Sequence, residues 1–138
     1  MALSLPACVA DSALQRTQVA FAQTRSTDVD EAYEQYRQEV ERADQALQRD
    51  DFETAFRHLE RAHVLAQRMT GRHTFIHWRM LVAGLRSGDL REVVGQLPRI
   101  VASILFSRLW VPRGNSGRSR VSAFKPMPVP DDLRHLVP

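Results

Sequence analysis

The sequence predicts an all-α fold: four helices arranged as two hairpins, followed by an extended C-terminal strap. Three observations carry this. Apolar residues from Val29 to Leu47 recur at helical spacing; turn and cap signals at Asp50-Asp51, Gly71 and Gly88-Asp89 cut the next stretch into helix-length pieces; and Pro126, Pro128 and Pro130 forbid helix near the end. At 138 residues the chain is one domain, long enough to bury a core without a disulfide or a structural metal. A composition 43% hydrophobic and 25% charged excludes wholesale disorder. The expected division is a weakly structured N-terminal extension over 1–25, the helical bundle over 26–111 and the strap over 112–138.

In the extension, Leu14 and Phe21 share a helical face that Gln18 interrupts, so only a short helix is expected there. Ser26 or Thr27 is the expected N-cap of the first main helix, because Asp28, Asp30 and Glu31 follow and suit its positive end. Its stripe is Val29, Tyr33, Tyr36, Val40, Ala43 and Leu47, spaced 4, 3, 4, 3 and 4. Asp50 and Glu53 stand at capping-box spacing ahead of a second helix that runs to about Met69 on Ala55, Phe56, Leu59, Ala62, His63 and Ala66. Gly71 is expected to end it in a left-handed conformation. The third helix, about His73 to Arg86, has the expected stripe His77, Trp78, Leu81, Gly84 and Leu85, with Gly84 admitting a neighbouring backbone. Asp89 and Glu92 repeat the cap ahead of a fourth helix, about Leu90 to Leu109, which Pro98 should kink near Val94 to Gly95. Val121, Phe124, Met127 and Val129 are expected to lay the strap over apolar surface, with Leu133, Leu136 and Val137 anchoring its end.

A shift of 38 residues pairs Leu47 with Leu85, Asp51 with Asp89, Phe52 with Leu90, Ala55 with Val93, Leu59 with Leu97 and Ala62 with Ile100, so the two hairpins follow one plan. The segment ADQALQRDDFETAFRHLERA, Ala43 to Ala62, resembles a tetratricopeptide unit, which implies a four-helix tetratricopeptide-like bundle. Three longer segments carry a second resemblance: HLERAHVLAQ from His58, RHTFIHWRML from Arg72 and GNSGRSRVSAFKPMPVPDDL from Gly114. From about Tyr33 to Leu136 the chain resembles short bacterial proteins of domain-of-unknown-function family 3703. That resemblance implies relatives and no activity.

Chemistry must therefore be argued from side chains. Glu60 and His63 lie three residues apart, and His73 and His77 four, so each pair shares a helix face. His63 and His77 sit at nearly the same height either side of the Gly71 turn, and packed helices about 8 to 10 Å apart let facing imidazoles share one ion. Glu60, His63 and His77, with His73 peripheral, are the candidate ligands for a divalent metal: zinc, or iron or manganese with open positions. The competing reading is a hydrogen-bonded polar core in which Glu60 partners His77 or Arg79. His58 falls off the stripe, and His135 is too near the terminus to place.

The spacing is not that of zinc-protease histidines, only one Glu-x-x-His element is present where a di-iron bundle needs two, and no dedicated general base is evident. Cys8, the only cysteine, excludes an intrachain disulfide and makes a reducing, cytoplasmic setting the default. No apolar run is long enough for a membrane span. The formal charge of +3 rests on 18 arginines and Lys125, and five of these cations fall between Arg108 and Lys125 with no acid. Around Gly114-Asn115-Ser116-Gly117 they make either an anion cradle or a tight turn with solvated arginines. Nucleic acid is the disfavoured partner, since the net charge is modest and only Trp110 and Phe124 in this segment could stack. The functional expectation is a small intracellular binding or adaptor protein with a divalent-metal site; a metal-dependent enzyme and a metal-free module for protein or peptide partners are the alternatives.

Overall fold

The computed structural model describes residues 7–107 and 111–137, without the side chains of residues 7–13, 25 and 26. The expectations placed on residues 1–6, on a fourth helix ending at Leu109 and on Trp110 lie outside the described residues. The described chain is all-helical: α1 (Ala7–Gln48), α2 (Phe52–Ala66), α3 (Thr70–Ser87) and α4 (Leu90–Phe106), with one 3-10 turn, Asp131–Leu133, in an otherwise irregular strap. Each helix packs on the next in chain order. Among the described residues no helix is long and apolar enough to cross a membrane.

α1 starts at Ala7, so Ser26 and Thr27 are interior positions and not a cap. No proline or glycine falls between Pro6 and Asp50, and nothing breaks the helix. The Thr24 and Thr27 hydroxyls donate back to the carbonyls of Ala20 (3.0 Å) and Thr24 (2.7 Å), the bonding of residues within a helix. Residues 14–24 are exposed throughout. Burial begins at Ala32 and follows Ala32, Tyr36, Glu39, Ala43, Ala46 and Leu47; Val29 and Tyr33, expected in the stripe, are exposed. The smaller register wins because Ala43, Ala46, Ala55 and Ala62, all fully buried, let α1 and α2 approach closely.

The buried Glu39 carboxylate receives Arg61 Nε at 2.8 Å and Gln35 Nε2 at 3.0 Å and meets His58 Nδ1 at 2.7 Å. Burial works to raise this carboxyl, but the hydrogen bonds from Arg61 and His58 hold it below its ordinary value. Arg61 also pairs with Asp132, tying the strap to α2.

The second cap lies one residue later than expected: the Asp51 carboxylate accepts Thr54 N–H at 3.1 Å, whereas Asp50 takes a φ of 54° and pairs with Arg86. Replacing Asp51 with alanine should lower stability, read as a lower urea midpoint at unchanged m-value. Gly71 does not end α2. The chain turns earlier, through the Met69 N–H to Ala66 carbonyl bond (2.8 Å), and Gly71 falls in the first turn of α3 without a positive φ. Ile76, Met80 and Ala83 face the core with His73, His77 and Gly84, while Trp78 is 54% and Leu85 58% exposed. A Cβ on Gly84 would stand 3.2 Å from that of Glu92, the close approach expected there, and Gly88, at φ 71°, closes α3.

Asp89 caps α4 through Glu92 N–H at 3.1 Å. This helix is turned inside out, with Glu92, Gln96 and Ser103 buried and Leu90, Val94, Leu97, Val101 and Leu105 exposed. The two hairpins therefore share a pattern but not an orientation: Leu59 is 0% exposed, its counterpart Leu97 54%. In the strap, Val129, Leu133 and Val137 join the main core, Val121 and Met127 are half-buried, and Phe124 is 74% exposed.

Candidate metal centre

His63 lies in the last turn of α2, His73 in the first turn of α3 and His77 one turn further on. The short connection through Gln67-Arg68-Met69 folds α3 back along α2, so the three imidazoles meet. All three are buried. Their Nε2 atoms stand 2.7 Å (His63 to His73), 3.2 Å (His73 to His77) and 3.3 Å (His63 to His77) apart. They form a group that could hold a metal ion.

The opposite nitrogens are anchored one by one. His63 Nδ1 lies 2.8 Å from the Asn115 carbonyl, which can only accept, so this nitrogen carries the ring proton. His77 Nδ1 lies 2.7 Å from Gln96 Oε1. Gln96 is oriented by its own amide, which donates to Glu92 Oε1 at 2.6 Å and the Gly117 carbonyl at 2.9 Å, so His77 is also the donor. His73 Nδ1 lies 2.8 Å from Ser107 Oγ, whose hydroxyl proton goes to the Ser103 carbonyl, and His73 donates likewise. Each neutral ring has thus spent its one proton on the outside. Three bare Nε2 lone pairs face one another.

The strap closes the site. Gln67 donates to the carbonyls of Pro112 (3.0 Å) and Asn115 (3.2 Å) and accepts Gly114 N–H at 3.1 Å. The Asn115 side chain accepts Gly117 N–H at 3.0 Å and donates to the carbonyls of Ser122 and Lys125. Gly117, at φ 78°, lies flat against His63: a Cβ there would come within 2.7 Å of its ring. The Gly114 to Gly117 turn, expected as an anion cradle or a solvated turn, is instead buried, with its Asn115 carbonyl aimed at an imidazole.

Burial pushes His63 well below the ordinary value, helped by its two neighbouring rings, and for the same leading reason His73 falls to about 3 and His77 to about 4. The rings are neutral at pH 7. Glu60, expected as a ligand one turn deeper, pairs with Arg118 at 3.2 Å and stands outside the histidine group; burial raises its carboxyl against the pull of that guanidinium. Arg118 lies 3.7 Å from the Phe56 ring centroid and also binds Glu92 at 3.1 Å. Burial works to raise Glu92 too, but bonds from Gln96 and Ser119 and the charge of Arg118 hold it low. His73, expected at the periphery, is a full member of the group. His58 and His135 lie elsewhere, beside Glu39 and Glu31.

Gln96 and Ser107 escape a reading of the sequence, in which Asn115 and Gly117 stand out only as part of a glycine-rich turn. The signal present was a glutamine four residues after Glu92 on the polar face of α4, where it could serve as a buried hydrogen-bond relay. A family model described as "Protein of unknown function (DUF3703)" matches residues 30–137. No curated protein and no solved structure matches the chain.

Proposed function

Since the chain belongs to the DUF3703 family, whose description states no function, we propose its role from the site itself: a binding protein that holds one divalent metal ion on the Nε2 atoms of His63, His73 and His77. One observation carries the proposal. Three ring nitrogens lie within 3.3 Å of one another while the proton of every ring is engaged elsewhere. A hydrogen-bonded polar core needs a proton between such atoms, and a cation satisfies all three at once. Nitrogens held about 2.0 to 2.1 Å from a tetrahedral ion stand roughly 3.3 Å apart, which two of the separations match. The outer partners, a carbonyl, an amide oxygen and a hydroxyl, are of the kind that orient metal-bound histidines.

Zinc suits the set best; iron and manganese would use it with further open positions. Binding is favoured over hydrolysis because Glu60 and Glu92, acids that a hydrolytic base would have to come from, are engaged by Arg118. Protein purified without chelator or affinity tag should carry close to one equivalent of metal, and the double variant His63→Ala, His77→Ala close to none. A folded wild-type chain that retains no zinc, iron, manganese or cobalt after reconstitution and dialysis would refute the proposal.

A further inference from the structure

We infer that the cavity beside the three histidines binds a small organic monocarboxylate, with the carboxylate between Arg99 and the ion and the hydrocarbon body against the apolar walls. This deepens the metal-centre proposal and rests on it. The cavity measures about 340 Å³, within the range of small-molecule sites. The histidines line one part of it, and Ala102, Phe106, Val111, Ala123 and Phe124 supply much of the remaining wall.

Arg99 is the one charged residue among the described residues that line the cavity. It is half-buried and sits close enough to act electrostatically on His63 and His77. Its guanidinium is steadied by two carbonyls, of Gly95 at 2.9 Å and Val121 at 2.5 Å; Glu92 acts on it only from a distance, and no carboxylate among the described residues forms an ion pair with it. Two of five N–H groups are thereby committed, and the planar fork retains donors suited to a carboxylate.

Charge and shape then select the ligand. Three neutral imidazoles leave the double charge of the ion uncompensated, and Arg99 adds a further positive charge. An anion offsets both. A strongly hydrated inorganic anion would leave the apolar walls without contacts, whereas a carboxylate on a hydrocarbon body matches head and walls together.

The test uses the full chain loaded with cobalt(II), whose visible spectrum reports its ligands, and hexanoate, acetate and hexanol as probes. Hexanoate should shift the spectrum and bind at least tenfold more tightly than acetate or hexanol. Arg99→Gln should weaken hexanoate at least tenfold at unchanged cobalt content, and Ala102→Trp, which fills the cavity, should abolish hexanoate binding while retaining cobalt. Equal affinity for hexanoate and acetate would remove the apolar walls from the account. Hexanol binding as well as hexanoate, or full affinity in Arg99→Gln, would remove the anion site; any of these three results overturns the inference and leaves the metal centre intact. Failure to take up cobalt at all would instead sink the metal-centre proposal, and this one with it.

Discussion

Replacing Gly117 with alanine is expected to cost about 3 kcal/mol of stability and to leave the protein unable to hold an equivalent of zinc. Two penalties combine. The residue sits at φ 78°, where an L side chain is strained, and the new Cβ would lie 2.7 to 2.9 Å from three atoms of the His63 ring. The ring cannot retreat without breaking its bond to the Asn115 carbonyl or leaving the other two nitrogens. Gly71→Ala is the matched control. Gly71 lies in the first turn of α3 without a positive φ and has open space at its Cβ, so alanine there should be neutral or stabilise by a few tenths of a kcal/mol. Urea unfolding and metal analysis of the two variants give the comparison; a Gly117→Ala protein with wild-type midpoint and full zinc would mean that the strap does not position His63.

The metal-free chain is expected to lose stability steeply as the pH falls below about 6.5. Unfolded histidines take up protons near that value, while the folded rings refuse them down to about 4 for His77 and about 3 for His73, with His63 also far below normal. Above the unfolded value neither state binds these protons and stability is at its full level. Between the two values the unfolded state binds more, so stability declines with each step towards acid. Each ring contributes about 1.4 kcal/mol per pH unit, and three together about 4 kcal/mol, enough to unfold a domain of ordinary stability within a few units. Glu39 and Glu92 act in a separate, lower window, because their depressed carboxyls give up stability only as the pH falls through the carboxylate range. Urea midpoints at pH 7.5, 6.0 and 5.0 in the presence of chelator measure the effect. A flat profile across these points would show that the folded rings accept protons freely and are not packed as described.

The α2–α3 hairpin and the facing of His63 and His77 are legible in the sequence, since both follow from residue spacing about a short turn. The standing of His73 is not, and the cause is local: with the turn set at Gly71, His73 falls at the open end, whereas the true turn at Gln67 to Met69 brings it a full turn inside. Glu60 misleads for a long-range reason. Its i, i+3 relation to His63 is real, but Arg118, distant in sequence and near in space, takes its carboxylate. α4 shows a third limit. Periodicity reveals that Leu90, Val94, Leu97 and Val101 share a face, but the partners that hold the opposite, polar face inward are distant in sequence: His77 and Gly117 for Gln96, Arg118 and Ser119 for Glu92.

The Asn115 carbonyl, 52 residues away in sequence, and Gly117 reach His63. A polypeptide clipped ahead of Pro112 keeps the imidazoles of His63, His73 and His77 yet loses the groups that aim the first of them. If the three rings hold an ion as proposed, a cut within this segment should weaken its hold by freeing His63 to turn.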